Sequence, residues 1–141
     1  MKYIISIILF SSLFFASCSK KETPKISAFS AEAFAYSLGD SSEVDASVRV
    51  KGFTQKEENG KYSATIGYDV DLITPSRDTL KSLISRVVDK LNNERVADLP
   101  LEAQFDLDST YAKGSYQLIF NIKDGPSGAT TKAVANFKLG D

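Results

Sequence analysis

The sequence predicts a mainly β chain, an antiparallel β-sandwich of about seven strands, on three observations. Apolar and polar residues alternate in one run after another, the mark of a strand with one buried face. Clusters of Gly, Pro, Asn and Asp punctuate those runs at the spacing of turns. The chain has 141 residues, 43% of them hydrophobic and 25% charged, with a net charge of −1, which suits a single domain with one core.

The first segment does not belong to that domain. Lys2 supplies one positive charge, Ile4–Phe15 is apolar except for Ser11 and Ser12, and small residues Ala16 and Ser17 lead to Cys18. Twelve residues are too few for a membrane-spanning helix, which needs about 20. Residues 1–17 therefore read as a secretory signal peptide. Residues 18–25 are polar and include Pro24, which reads as a tether to a domain over 26–141. Without residues 1–17 the chain carries 16 basic and 18 acidic side chains.

Strands follow in order. Phe34, Tyr36 and Leu38 alternate after an alanine-rich stretch, and Val44, Ala46, Val48 and Val50 alternate with Asp45, Ser47 and Arg49. Asn59-Gly60 is a hairpin signal. Tyr62, Ala64, Ile66, Tyr68, Val70 and Leu72 form one face of a long strand, in which Gly67 marks a bulge or a packing contact. After a turn at Thr74–Asp78, three further inward faces are Leu101/Ala103/Phe105/Leu107, Tyr116/Leu118/Phe120/Ile122 and Ala133/Ala135/Phe137/Leu139. The turn at Asp124–Gly128 separates the last two.

One segment departs from period two. Leu80, Leu83, Ile84, Val87, Val88 and Leu91 recur at helical spacing, with Asp78 and Thr79 placed to cap a helix and Asn92-Asn93 placed to end it. Taken alone, 79–91 is an amphipathic crossover helix of about three turns; a fourth strand with irregular flanks fits the same residues.

Two resemblances add to this. Phe15-Ala16-Ser17-Cys18 resembles a bacterial lipobox, departing from the common pattern at Phe15. The resemblance implies cleavage between Ser17 and Cys18, lipidation of Cys18, and a domain held at the cell envelope by acyl chains. Ser19 after the cysteine favours the outer membrane by the same resemblance. Gly114-Ser115-Tyr116-Gln117-Leu118, continuing to Asp124, resembles the late strand of immunoglobulin-like and fibronectin-like bacterial modules. That implies an immunoglobulin-like sandwich with a tyrosine corner at Tyr116, Gly114 as a structural residue, and Leu118 where antibody domains carry a disulfide cysteine.

Composition limits the chemistry. With no histidine, no tryptophan and one cysteine, the chain has no imidazole base, no Ser-His dyad, no internal disulfide and no multi-thiolate metal site. Its near-neutral charge argues against a nucleic-acid partner. The Asp69/Asp71 and Asp106/Asp108 pairs each share a strand face, and Asp106 and Asp108 are the better candidates for calcium, a cation that needs six to eight oxygens. Phe53, Tyr111 and Ile119 are candidates for exposed apolar positions. The expected function is that of a membrane-anchored, non-catalytic binding or scaffolding module without cofactor, whose partner is an envelope protein or a glycan. A calcium- or carbohydrate-binding module is the alternative, and a small hydrolase the third reading.

Overall fold

Alternating side chains become two antiparallel sheets in the computed structural model, which describes residues 25–140. The signal peptide, Ser17, Cys18 and the tether before Lys25 lie outside the described residues. The strands are β1 (Ser27–Ser37), β2 (Ser42–Lys51), β3 (Lys56–Glu58), β4 (Lys61–Ile73), β5 (Thr79–Asn92), β6 (Asp98–Leu107), β7 (Gly114–Asp124) and β8 (Thr130–Leu139). One sheet has the order β1-β2-β6. In the other, β4 pairs with β7 over Ile66–Ile73 and with β5 over Tyr62–Ile73, so β5 and β7 flank it. The short β3 occupies the β7 side and β8 follows β7. The second sheet is thus four strands wide, β5-β4-β7-β8, against three in the first.

The core lies between the two sheets. Val44, Val48 and Val50 of β2, Ile66, Val70 and Leu72 of β4, Leu101 of β6, and Leu118 and Phe120 of β7 have no exposed surface. Each such side chain contributes about 1.5–3 kcal/mol relative to leaving it in water. Tyr68 stacks on Phe120 at 6.3 Å and Tyr116 on Phe137 at 5.2 Å, joining neighbouring strands of the larger sheet on its inner face. At the predicted hairpin, Asn59 and Gly60 have φ of 51° and 74°, the left-handed pair of a type I′ turn between β3 and β4.

The expected helix over 79–91 is absent, and β5 is the longest strand. Leu80, Ile84 and Val88 sit at four-residue spacing on the inner face; Leu83, Val87 and Leu91 sit at the same spacing on the outer face. A strand with an apolar residue every fourth position on both faces has the same sequence pattern as an amphipathic helix. Pairing with β4 decides between them: the ladder runs to Asn92 opposite Tyr62, with one irregularity between Val70 and Leu72. Asp78 does not cap a helix. Its carbonyl accepts from Thr74 N at 2.9 Å and closes the preceding turn.

Three smaller expectations also change. In β1 the alanines turn inward, with Ala33 8% exposed, while Phe34 and Tyr36, with Leu38 just past the strand, stand in solvent at 53%, 51% and 59%. The reason is spatial: β1 runs alongside β8 where the two sheets close, and small residues let it approach. Gly67 is neither a bulge nor a packing contact, since a Cβ there would meet nothing within 4 Å. Phe53, expected outside, is 4% exposed and belongs to the core. Tyr111 and Ile119 are half-buried.

Candidate interaction surface

The sequence-nominated residues separate into structural ones and solvated ones. Tyr116 Oη donates to the Ala112 carbonyl at 2.6 Å, which is the tyrosine corner. Burial pushes the Tyr116 phenol up from its usual pKa of 10.0, and Tyr111 beside it adds to the shift. Gly114 has a φ of +142° and its missing Cβ would lie 3.0 Å from Pro75 Cγ, so only glycine suits the place where the β6–β7 connection crosses the β4–β5 turn.

Asp106 and Asp108 are both exposed, Asp106 near the end of β6 and Asp108 just beyond it. Asp108 Oδ1 accepts from Thr110 N at 2.9 Å and from Thr110 Oγ1, and the hydroxyl first and the amide second hold its carboxyl below the usual 3.8. This is an Asx-type turn that uses one carboxylate oxygen locally. Among the described residues no group of three or more Asp, Glu, His or Cys side chains is placed to hold a metal ion. The other acidic pair is bridged instead. Asn121 Nδ2 donates to Asp69 Oδ2 at 3.1 Å and to Asp71 Oδ2 at 3.0 Å, while Asp71 Oδ1 accepts from Ser82 N at 2.8 Å.

Asp124, which sequence reasoning placed only in a turn, is the buried acidic residue at 2% exposure. Its Oδ2 accepts from Thr54 N, Thr54 Oγ1 and Ser127 Oγ at 3.2, 2.6 and 2.5 Å. Oδ1 is buried without a partner. The carboxylate fastens the β7–β8 turn to the segment after β2, and its closed surroundings leave it out of reach of a ligand.

Two exposed surfaces remain. The outer face of the three-stranded sheet places Tyr36, Glu43 and Asp106 in one cross-strand row and Phe34, Asp45 and Gln104 in the next. Glu32 and Glu102 flank Ser47 in the third row, with Ser47 Oγ donating to Glu32 at 3.4 Å. Further along, Arg49 pairs with Asp98. An aromatic stripe thus borders a field of carboxylates. The apolar residues were visible in the sequence, but their outward direction was not.

The second surface is the side where β5 overhangs the narrower sheet. A groove of about 670 Å³ lies between Val88 and Lys90 of β5 and Leu99, Pro100 and Glu102 of β6. Tyr68 Oη crosses it to donate to the Glu102 carbonyl at 2.6 Å.

No family model and no curated protein matches this chain. Three solved structures align with it weakly. The structural-genomics target SoR45 aligns with a TM-score of 0.45 and 10% identity, over 82% of this chain and 85% of that one. The N-terminal domain of PorA aligns at 0.41 and 12%, over 81% and 96%. A protein described as ApaA from Bordetella pertussis aligns at 0.39 and 11%, over 82% and 92%. Likeness at this level says nothing about function.

Proposed function

We propose that the protein is a lipid-anchored, non-catalytic binding module of a bacterial cell envelope, held through Cys18 and binding an envelope partner through the outer face of β1, β2 and β6. The observation that carries this reading is the stripe of Phe34 and Tyr36 on β1 and Leu38 just beyond its end, three large apolar side chains each more than half exposed. Scattered apolar residues are ordinary on a surface; adjacent exposed aromatic side chains with a polar border match the aromatic core and polar rim of an interface. The lipobox-like start supports the anchor, since two or three acyl chains at about 0.8 kcal/mol per buried methylene hold a protein lastingly at a membrane.

The glycan alternative draws on the same stripe, with aromatic rings stacking on sugar faces and Glu43 and Asp45 bonding hydroxyls. Cross-linking in native membranes followed by identification of the captured species tests both. The binding reading expects capture that Phe34→Ser with Tyr36→Ser abolishes while the domain stays folded. Undiminished capture by that double variant refutes the face. Cys18→Ala is expected to abolish palmitate labelling and membrane fractionation, and a variant that still pellets like the wild type refutes the anchor.

A further inference from the structure

The two edges on the open side of the sandwich differ. The β6 edge is blunted. The Glu102 carbonyl points away from β2, because Tyr68 reaches it across the groove. In an antiparallel ladder every second residue turns both its N–H and C=O to the same side. Pro100, of the same parity, therefore stands at that free edge with no N–H to offer.

The β5 edge has no proline; the cations Arg86 and Lys90 stand on its inner face, and its irregularity is confined to the stretch near Ser82. Gly125 N donates to the Thr65 carbonyl at 2.8 Å, so Thr65 and the odd residues of β4 face β7. Even residues of β4 then face β5, and through the pairing of Ile66 with Val88 the even residues of β5 bond back to β4. Ser85, Val87, Asp89 and Leu91 are left with N–H and C=O groups directed outward. No proline or glycine interrupts Thr79–Asn92, and the irregular register near Ser82 lies before this stretch. Val87 and Leu91 beside that edge are 66% and 63% exposed. A long, regular, unpaired edge of this kind is a template for another strand.

We propose that β5 pairs antiparallel with β5 of a second copy of this chain, about a two-fold axis at Val87. The register follows from the side chains. Centred on Val87, the outer face sets Leu83 against Leu91 of the other copy, Ser85 against Asp89, and Val87 against itself. The inner face sets Arg86 against Val88 and Ile84 against Lys90. Shifting the centre by one residue to Arg86 opposes two arginines, and shifting it to Val88 opposes Arg86 and Lys90. Like charges directly opposite destabilise a pair. A centre at Asp89 opposes two aspartates, and a centre at Ser85 draws the irregular Ser82, with its φ of 51°, into the pairing opposite Val88. The Val87 centre matches Leu83 to Leu91, separates the cations and uses regular residues throughout. It also pairs the odd residues of both strands, the ones whose backbone groups are free, giving about six new hydrogen bonds between Ser85, Val87 and Asp89 of the two copies. The product is one continuous sheet, β8-β7-β4-β5-β5-β4-β7-β8. A two-fold axis perpendicular to it keeps both aromatic stripes on the same side, so a partner with two copies of its site gains avidity without any new contact. The inference goes beyond the binding reading and stands on the strand edge alone.

Position-specific cysteines in the full chain, oxidised in the membranes of producing cells, test it. Val87→Cys places two thiols across the axis at a Cα separation of about 5.5 Å, within disulfide range, whereas Ser85→Cys places them about 15 Å apart. Val87→Cys is expected to give a dimer at least tenfold more abundant than Ser85→Cys gives, by the separation limit on disulfides. Combining Ser85→Cys with Asp89→Cys should restore cross-linking. Absence of the Val87→Cys dimer, equal cross-linking by Ser85→Cys, or a Val87→Cys adduct to a different protein each overturns the proposal. Val87→Lys, at a position too exposed to matter for folding, should yield monomer by mass measurement, and a persistent dimer refutes the register. A dimer formed by the wild type through Cys18 would instead count against the anchor, so the two readings fail separately.

Discussion

Changing Tyr116 to phenylalanine deletes one oxygen from the core and leaves the packing in place. The ring stays against Phe137, and the residue is 1% exposed, so no cavity opens. What disappears is the 2.6 Å hydrogen bond to the Ala112 carbonyl. Stranding a buried carbonyl costs up to about 3 kcal/mol, but a typical hydrogen bond is worth only about 1 net. Ala112 lies in an exposed segment, where water can replace the phenol. The expected loss is therefore about 1 kcal/mol, read by equilibrium urea denaturation with an unchanged m-value. A second readout comes from alkali. The folded pKa of Tyr116 is raised by burial, so this contribution is complete below the unfolded pKa near 10 and is lost as pH rises through the folded value. Wild type should lose stability above pH 10 more steeply than Tyr116→Phe. A variant as stable as wild type at neutral pH, or one with the same alkaline slope, would refute the reasoning.

Thr110→Val should raise the Asp108 pKa, because the hydroxyl is the larger of the two bonds that depress it; a carboxyl NMR titration reads the change directly. Ala33→Leu should cost about 1–3 kcal/mol by overpacking the closed side of the sandwich, while Phe34→Ser on the next residue should stay within about 0.5. Thermal melts of the two variants check the inverted polarity of β1. Gly52→Ala should destabilise more than Gly39→Ala, for both have positive φ but only at Gly52 does a Cβ fall on the Lys25 carbonyl, with the carbonyl carbon 2.9 Å away. The Gly39 change is expected to cost about 1 kcal/mol in backbone strain alone, and equal losses would remove the steric argument.

Much of the sandwich was legible because β2, β4, β6 and β7 place one apolar residue at every second position, and one-sided burial leaves only one register for such a strand. The Gly114–Tyr116 corner was legible for a local reason, since the partner of the hydroxyl is four residues away. The direction of β1 was hidden because hydrophobicity alone prefers Phe34 and Tyr36 to Ala33 and Ala35 inside. Only the proximity of β8, a contact distant in sequence, reverses that preference. β5 was ambiguous because spacing of four satisfies both periods, and its choice depends on β4. The exposed stripe of Phe34 and Tyr36 was hidden for the same reason: exposure of an apolar side chain is a property of the assembled sheets.

The fit of Gly52 against Lys25 has a mechanical side. Ile26 is buried at 4%, and directly before it the chain is wedged against the end of β2. A domain tethered from its N-terminus receives any pull from the membrane at this wedge. Beyond it lies β1, whose inward residues are mostly alanines and which the ladder to β2 holds in place. Under the anchor proposed above, a pull along the tether would reach this wedge before the β1–β2 ladder, which begins at Ser27 and Lys51.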